Sequence, residues 1–336
     1  MKTLPLPGTT LKVSSLCLGG TVYGNTITET ESFALLDRYV ELGGNFIDTA
    51  RIYSDWVPGE KRRSERIIGD WLQSRGHRGK LVVATKGAHA FIESLATPRT
   101  SAAEIRDDLE GSLSTLRVDA IDLYWLHRDD LTRPVEHFID LLNTFQREGK
   151  IRAFGGSNWS AARLRAANDY AKKSGQQGFV ASQPLWCLGS AQARPPADPG
   201  LVRFDRPAYD FHHATGLVVI PYMSQAKGFY TKLALPPEKR PPDLALNENH
   251  TPPNLAAAAV AGRIAQQRGV NLSAIVLAYV WSRPFPVVPI IGPRTIAQLE
   301  DSVAALPVRL TAAELAALET ASQSGLPSSP AGLSSS

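Results

Sequence analysis

Residues Gly44–Tyr53 read GNFIDTARIY. The apolar run of Asn45, Phe46 and Ile47 halts at Asp48, and a tyrosine follows five residues later. The pattern is that of a short buried strand ending in a carboxylate. A charge taken out of water is costly unless an opposite charge meets it, so this stretch requires a cation from elsewhere in the chain. Gly43 and Gly44 mark the end of the helix before it, predicted over Glu31–Leu42.

Outward from that strand, short Val-, Ile- and Leu-rich runs alternate with stretches of helical period, the pattern of strands buried between crossover helices. Strands are predicted at Leu81–Thr85, Ile121–Leu126, Ile151–Gly156, Phe179–Ser182, Leu217–Pro221 and Val287–Ile291. Helices are predicted at Ser64–Leu72, Ser101–Leu116, Val135–Glu148, Ala161–Lys173, Tyr209–Thr215, Leu255–Gln267, Ser273–Trp281 and Thr295–Ala305. Ser101 with Glu104 forms a capping box. Residues 9–18 alternate as a small hairpin leading into a first strand, and Ser224–Pro253 reads as a long loop. Most strands begin roughly 30 to 40 residues apart, one strand-plus-helix unit each. Eight such units predict a (β/α)8 barrel of the TIM type with an N-terminal β-hairpin and long loops at the C-terminal mouth. The expected organisation is one barrel domain over residues 1–324, followed by a Gly-, Pro- and Ser-rich tail at 325–336 expected to be disordered.

With 36 basic and 32 acidic residues, the net charge of +4 carries no basic stripe, which argues against nucleic acid as a partner. Cys17 and Cys187 form neither a disulfide framework nor a CxxC pair. No secretory leader or membrane-length apolar run is present, so the expectation is a cytoplasmic protein without a membrane partner. His212 and His213 are adjacent rather than four apart, and no metal site is expected.

Each predicted strand from the second to the seventh ends in a polar side chain: Asp48, Lys86, His127, Ser157 with Asn158, Gln183 and Tyr222. A barrel collects its chemistry at those ends. The motifs GNFIDTARIY, ATKG, LYWLH, GGSN, SQPL and PIIGPRT, in this order, resemble the aldo-keto reductase superfamily over roughly residues 10 to 305. The resemblance implies a catalytic tetrad of Tyr53 as general acid with Asp48, Lys86 and His127. It also implies an NADP(H) cofactor, and reduction of an aldehyde or ketone, sugars included. The residue chemistry agrees. Carbonyl reduction needs a proton donor where charge grows on oxygen, and an ammonium beside a phenol favours its phenolate form. Lys86 is then the cation that Asp48 requires.

The sequence contains neither GxGxxG nor GxxxxGK[ST]. Any nicotinamide cofactor must be held by loops. By resemblance, Ser157, Asn158 and Gln183 meet the carboxamide and Tyr222 stacks on the nicotinamide. Ser224, Gln225, Lys227 and Gly228 line the pyrophosphate, while Gly292, Arg294, Thr295, Gln298 and Asp301 face the adenosine 2′-phosphate and adenine. Some members carry lysine, arginine and asparagine where this chain has Gly292, Gln298 and Ser302, so the expected NADPH preference rests on Arg294 and Thr295. Substrate contacts are expected from Trp56, His89, Arg128, Trp186, Phe229 and Tyr230. The implied partner is a small-molecule carbonyl or alcohol, and nothing in the sequence specifies an oligomeric state. Two other readings share the barrel: a cofactor-binding regulatory subunit like the potassium-channel β subunits, and an aldolase or isomerase using Lys86. The second is disfavoured by Asp48, which keeps the amine protonated.

Overall fold

The computed structural model describes residues 1–327. They divide into two compact units, Met1–Gln183 with Gly292–Ile296, and Pro184–Ile291 with the chain from Ala297 onward. The architecture is α/β.

In the first unit, β1 (Thr3–Pro5) and β2 (Lys12–Ser14) form an antiparallel hairpin with Leu4 opposite Val13. The hairpin thus begins earlier than the alternation at 9–18 suggests. Leu6 N–H closes on Leu11 O at 3.0 Å, and Thr9 and Gly8 make the turn rather than the strand. Six parallel strands then follow one another in chain order: β3 (Cys17–Gly19), β4 (Phe46–Asp48), β5 (Val82–Gly87), β6 (Ile121–Leu126), β7 (Ile151–Ser157) and β8 (Ala181–Gln183). Between them run α1 (Glu29–Glu41), α2 (Arg63–Arg75), α3 (Ala102–Leu116), α4 (Val135–Arg147) and α5 (Ala161–Lys173). Every residue of β5 and β6 is buried, as strands covered on both faces must be.

The entry to β4 is held by one side chain. Tyr39 of α1 lies under Gly44, where an added Cβ would come within 2.3 Å of its ring. Its hydroxyl lies 2.7 Å from Leu16 O, 2.9 Å from Phe46 O and 2.8 Å from Ser14 Oγ. Helix α1 begins two residues before its predicted start because Thr28 and Glu31 form a capping box.

The second unit carries α6 (Arg206–Thr215), β9 (Val218–Val219), α7 (Phe229–Leu233), α8 (Pro252–Arg268), α9 (Leu272–Trp281), β10 (Ile290–Ile291), all but the first residue of α10 (Ile296–Ala304), and α11 (Ala312–Ser322). Within it, β9 and β10 are shorter than the runs at 217–221 and 287–291, with Val219 bridged to Val287. The stretch expected to be an unstructured loop at 224–253 holds α7 and several single turns. Helix α11 falls outside the elements read from the sequence, although Thr311 and Glu314 cap it with the same box seen at Ser101. It packs on α8, where Arg268 donates twice to Glu314 at 2.6 Å. Of the tail expected from Gly325, Leu326 is buried in this unit's core and residues 328–336 lie outside the described residues. Among the described residues no helix is long and apolar enough to cross a membrane.

The second unit's core contains an aromatic cluster: Trp186 stacks on Phe204 at 4.1 Å between centroids, and His212 lies against Phe204 and Phe285. His212 Nδ1 donates to Leu217 O at 2.8 Å, and burial depresses its pKa to about 4 from the ordinary 6.5. The unfolded chain therefore binds a proton that the folded one refuses between those values. Stability is fully present above about pH 6.5 and falls by roughly 3 kcal/mol as pH drops to about 4. Urea unfolding across this window should show that slope in the wild type, and a shallower one in His212→Asn.

Candidate active site

The site is built on the ends of β4 to β8. Asp48 closes β4 and pairs in register with Ala84, so that Lys86, two residues further along β5, stands beside the Asp48 carboxylate. Lys86 Nζ donates to Asp48 Oδ1, to Thr49 O at 2.7 Å and to Tyr53 Oη at 3.0 Å. All three donor directions of the ammonium are thereby used. The second Asp48 oxygen accepts from Gln183 Nε2 at 3.0 Å. Asp48 and Lys86 are both almost completely buried. Burial pushes the Asp48 carboxyl up, against the pull of Lys86 and Gln183. At Lys86, burial opposes the charge, and the Asp48 carboxylate and Tyr53 oxygen overcome it and hold the ammonium above its ordinary range.

Tyr53 is presented by a tight turn. Its N–H bonds Ala50 O at 3.0 Å, and the next residue, Ser54, sits at φ 73°, where a non-glycine residue needs support. Support comes from the Ser54 hydroxyl, which donates to Tyr23 O at 2.7 Å and accepts from Asn25 Nδ2 at 2.7 Å. The Tyr53 ring is 4.6 Å from Lys86 Nζ and 6.0 Å from the His127 ring. Trp56, half exposed, packs edge-on against Tyr53 at 6.3 Å.

His127 follows β6, its N–H bonded to Gly87 O at 2.8 Å. Burial pushes its pKa well below the ordinary value, and His89, Arg128 and Lys86 push the same way. Its Nδ1 is buried without a partner. An orphaned N–H is rarer than an under-used acceptor, so the tautomer carrying hydrogen on Nε2 is favoured. Asn158, at φ 60°, donates from Nδ2 to His127 O at 3.1 Å and from its backbone to Gln183 O at 3.1 Å. Ser157 Oγ donates to Gln183 O at 3.1 Å. Asp48, Tyr53, Lys86, His127, Ser157, Asn158 and Gln183 are therefore one connected group within the first unit.

These residues are the ones expected at the strand ends and in the turn after β4, while Tyr222 lies in the second unit; comparison with known proteins gives the family. The sequence profile described as the Aldo/keto reductase family matches residues 15–323. The chain belongs to the aldo/keto reductase family. It is 31% identical over 330 residues to norsolorinic acid reductase stcV of Emericella nidulans, covering 94% of this chain and 79% of that relative. It is 29% identical to aldo-keto reductase ausK of the same organism, over 94% of the chain and 79% of the relative. It is 27% identical to aryl-alcohol dehydrogenase GME11368 of Pestalotiopsis microspora, over 93% and 80%. This aldo/keto reductase is accordingly an oxidoreductase.

The remaining expected residues of this reductase fall as follows. Arg128 Nη1 bonds its neighbour's carbonyl, His127 O, at 2.8 Å. His89 lies 4.6 Å from the His127 ring. In the second unit, Trp186, Phe229 and Tyr230 are fully buried in the aromatic core, and Tyr230 Oη donates to Leu188 O at 2.8 Å. Tyr222 N–H bonds Pro184 O at 3.1 Å, and Ser224 Oγ donates to Pro221 O at 2.8 Å. Gln225 donates to Ser302 Oγ at 3.4 Å, Lys227 pairs with Glu248 at 3.0 Å, and Asp301 accepts from Asn271 at 3.0 Å. Ala226, Lys227 and Gly228 all take positive φ. Gly292, Arg294, Thr295 and Gln298 are exposed.

One further buried cluster lies outside the residues expected from the sequence. Asp108 of α3 is fully buried and accepts from Arg99 at 2.9 and 3.0 Å, with Arg51 3.2 Å away. The signal was a carboxylate inside the apolar stripe of Ile105, Leu109 and Leu113.

Removing one charge of the Asp48–Lys86 pair strands the other. Asp48→Leu and Lys86→Met should each lower the unfolding free energy by about 3–5 kcal/mol, and Asp48→Leu/Lys86→Met by less than the sum of its two single changes. Urea titration of the single and double variants measures the coupling directly.

Proposed function

We propose that the protein is an NADP(H)-dependent reductase of aldehydes or ketones in which Tyr53 is the general acid, with a closed (β/α)8 barrel over residues 1–324 as its scaffold. The observation that carries this reading is the chain of hydrogen bonds from Asp48 through Lys86 to Tyr53 Oη, with His127 beside the same phenol. A reduced nicotinamide, when bound, supplies hydride to the carbonyl carbon. His127 Nε2–H donates to the carbonyl oxygen and orients it. As negative charge grows there, Tyr53 Oη gives up its proton, and the Lys86 ammonium at 3.0 Å stabilises the phenolate left behind. Asp48 keeps that ammonium charged and fixed.

The residues present suit such a cofactor. Ser157, Asn158 and Gln183 are neutral donors and acceptors of the kind a carboxamide needs. The run of positive φ at 226–228, two of its residues not glycine, is backbone strain of the sort retained where a loop must follow a ligand. Arg294 and Thr295 are read as the groups for the 2′-phosphate, with Gly292, Gln298 and Asp301 near the adenosine.

Trp56 beside Tyr53 favours an aromatic carbonyl over a sugar. The names of the norsolorinic acid and aryl-alcohol relatives point the same way. An amine nucleophile is disfavoured, because Lys86 is held as the ammonium.

Tyr53→Phe should reduce turnover of an aryl aldehyde by roughly a thousandfold while the NADPH dissociation constant, read by fluorescence quenching, stays near wild type. Full activity in that variant would sink the assignment. For the cofactor, Arg294→Gln should weaken NADPH binding by about ten- to a hundredfold and leave NADH binding almost unchanged. Equal losses for both would remove Arg294 from the 2′-phosphate.

A further inference from the structure

The turn that follows β5 is unusually constrained for a surface connection. Gly87 has no room for a side chain, since a Cβ there would meet Tyr124 Oη at 2.0 Å and Asp108 Cβ at 2.9 Å. Ala88 is held at φ 60°, its N–H donating to Asp108 Oδ2 at 3.0 Å. Arg99, bound to the same carboxylate, donates to His89 O at 3.4 Å. His89 Nδ1 donates to Ala90 O at 2.6 Å, which puts a hydrogen on Nδ1 and fixes the plane of the ring. These bonds converge on one result: the buried His89 imidazole stands edge-on to His127, 4.6 Å between centroids at 61°.

We propose that His89 is a positioning residue for His127, set by the Asp108-anchored turn to fix the angle of the His127 ring toward the substrate carbonyl. The proposal rests on the reading of His127 as the group that orients the carbonyl. Substrate contact from His89 itself is a different role, and the experiment separates them. His127 has few other constraints on its ring: Nδ1 is unpartnered, and its polar bonds run through its backbone carbonyl, to Asn158 and Arg128. The titratable or charged groups around it are Tyr53 from the turn after β4, Lys86 from β5, His89 from the turn after β5 and Arg128 beside it, with the neutral Asn158 amide after β7. Two rings meet His127 edge-on, Tyr53 at 6.0 Å and His89 at 4.6 Å, and the nearer of them is the contact that holds the ring's tilt.

The test compares His89→Leu, which fills space without a ring, with His89→Phe, which keeps the edge. His127 is followed by its imidazole NMR resonance, and kcat and KM are measured for an aryl aldehyde between pH 5 and 9. His89→Leu should lose about tenfold in kcat with the NADPH dissociation constant unchanged, and should shift the His127 resonance. His89→Phe should return kcat and the resonance near wild type at pH 8. Its acid limb should move to higher pH, because His89 no longer pushes the His127 pKa down. Wild-type kcat and an unshifted resonance in His89→Leu would overturn the proposal. So would a folded His89→Phe that fails to restore what His89→Leu lost. The resonance reports on the ring without turnover, so it stands apart from any failure of the reductase assignment, which Tyr53→Phe tests.

Discussion

The ion pair between Asp48 and Lys86 is the interaction on which the rest of the first unit depends. Two charges taken out of water are costly, and their attraction offsets the cost only when every remaining valence is also met. Here Thr49 O and Tyr53 Oη take the other two directions of the ammonium, and Gln183 takes the second carboxylate oxygen. The pair and its partners come from β4, from the turn after it, from β5 and from β8. The pair can exist only if the parallel strands are aligned as they are, with Asp48 opposite Ala84 and Lys86 opposite Trp125. The site is thus a constraint on register as much as a product of it.

Backbone strain marks some of the same places in the first unit. Among the described residues, nine that are not glycine have positive φ. Arg62 flanks the start of α2, and Arg117 and Gln323 are ordinary left-handed caps at helix ends. The other six lie elsewhere: Ser54 beside Tyr53, Ala88 beside His89, Asn158 beside Ser157, and Met223, Ala226 and Lys227 in the turn after β9. A left-handed non-glycine residue costs roughly 1–2 kcal/mol and persists where surrounding bonds over-determine it. At Ser54 those bonds are to Tyr23 and Asn25, at Ala88 to Asp108, and at Asn158 to Gln183 and His127.

What was legible in the sequence follows from these same facts. A strand buried on both faces is uniformly apolar, so a polar residue at its end stands out, and Asp48, Lys86, His127, Ser157, Asn158 and Gln183 could be read that way. Asp108 could not be read so easily, because a carboxylate on an otherwise apolar helical stripe looks like a solvated position until its arginines are seen. Those partners, Arg51 and Arg99, lie in loops, where no periodicity points at a target. The hairpin was displaced because Thr9 and Lys12 alternate with apolar neighbours as strand residues do, whereas the turn hydrogen bonds of Leu6 and Leu11 decide the matter. Helix α11 has a capping box, but its apolar positions are mostly alanine and give too weak a stripe to predict it. Trp186 and Phe229 illustrate the opposite limit: aromatic residues in predicted loops look available, and in the second unit's core they are wholly enclosed.

The environments of the titratable groups also divide their labour. Lys86 is held charged by Asp48 and Tyr53, while burial, His89, Arg128 and Lys86 itself hold His127 uncharged. A permanent cation and a neutral imidazole side by side are two groups whose environments push their protonation states apart, the arrangement that separates catalytic roles. A Lys86 ammonium bound to Asp48 is a poor proton source, because deprotonation would leave the carboxylate buried without its partner. A neutral His127 can donate a hydrogen bond but has no second proton to transfer. On the proposed reading that leaves the Tyr53 hydroxyl, the one member of the group that is both bonded to the cation and partly exposed, as the proton that moves.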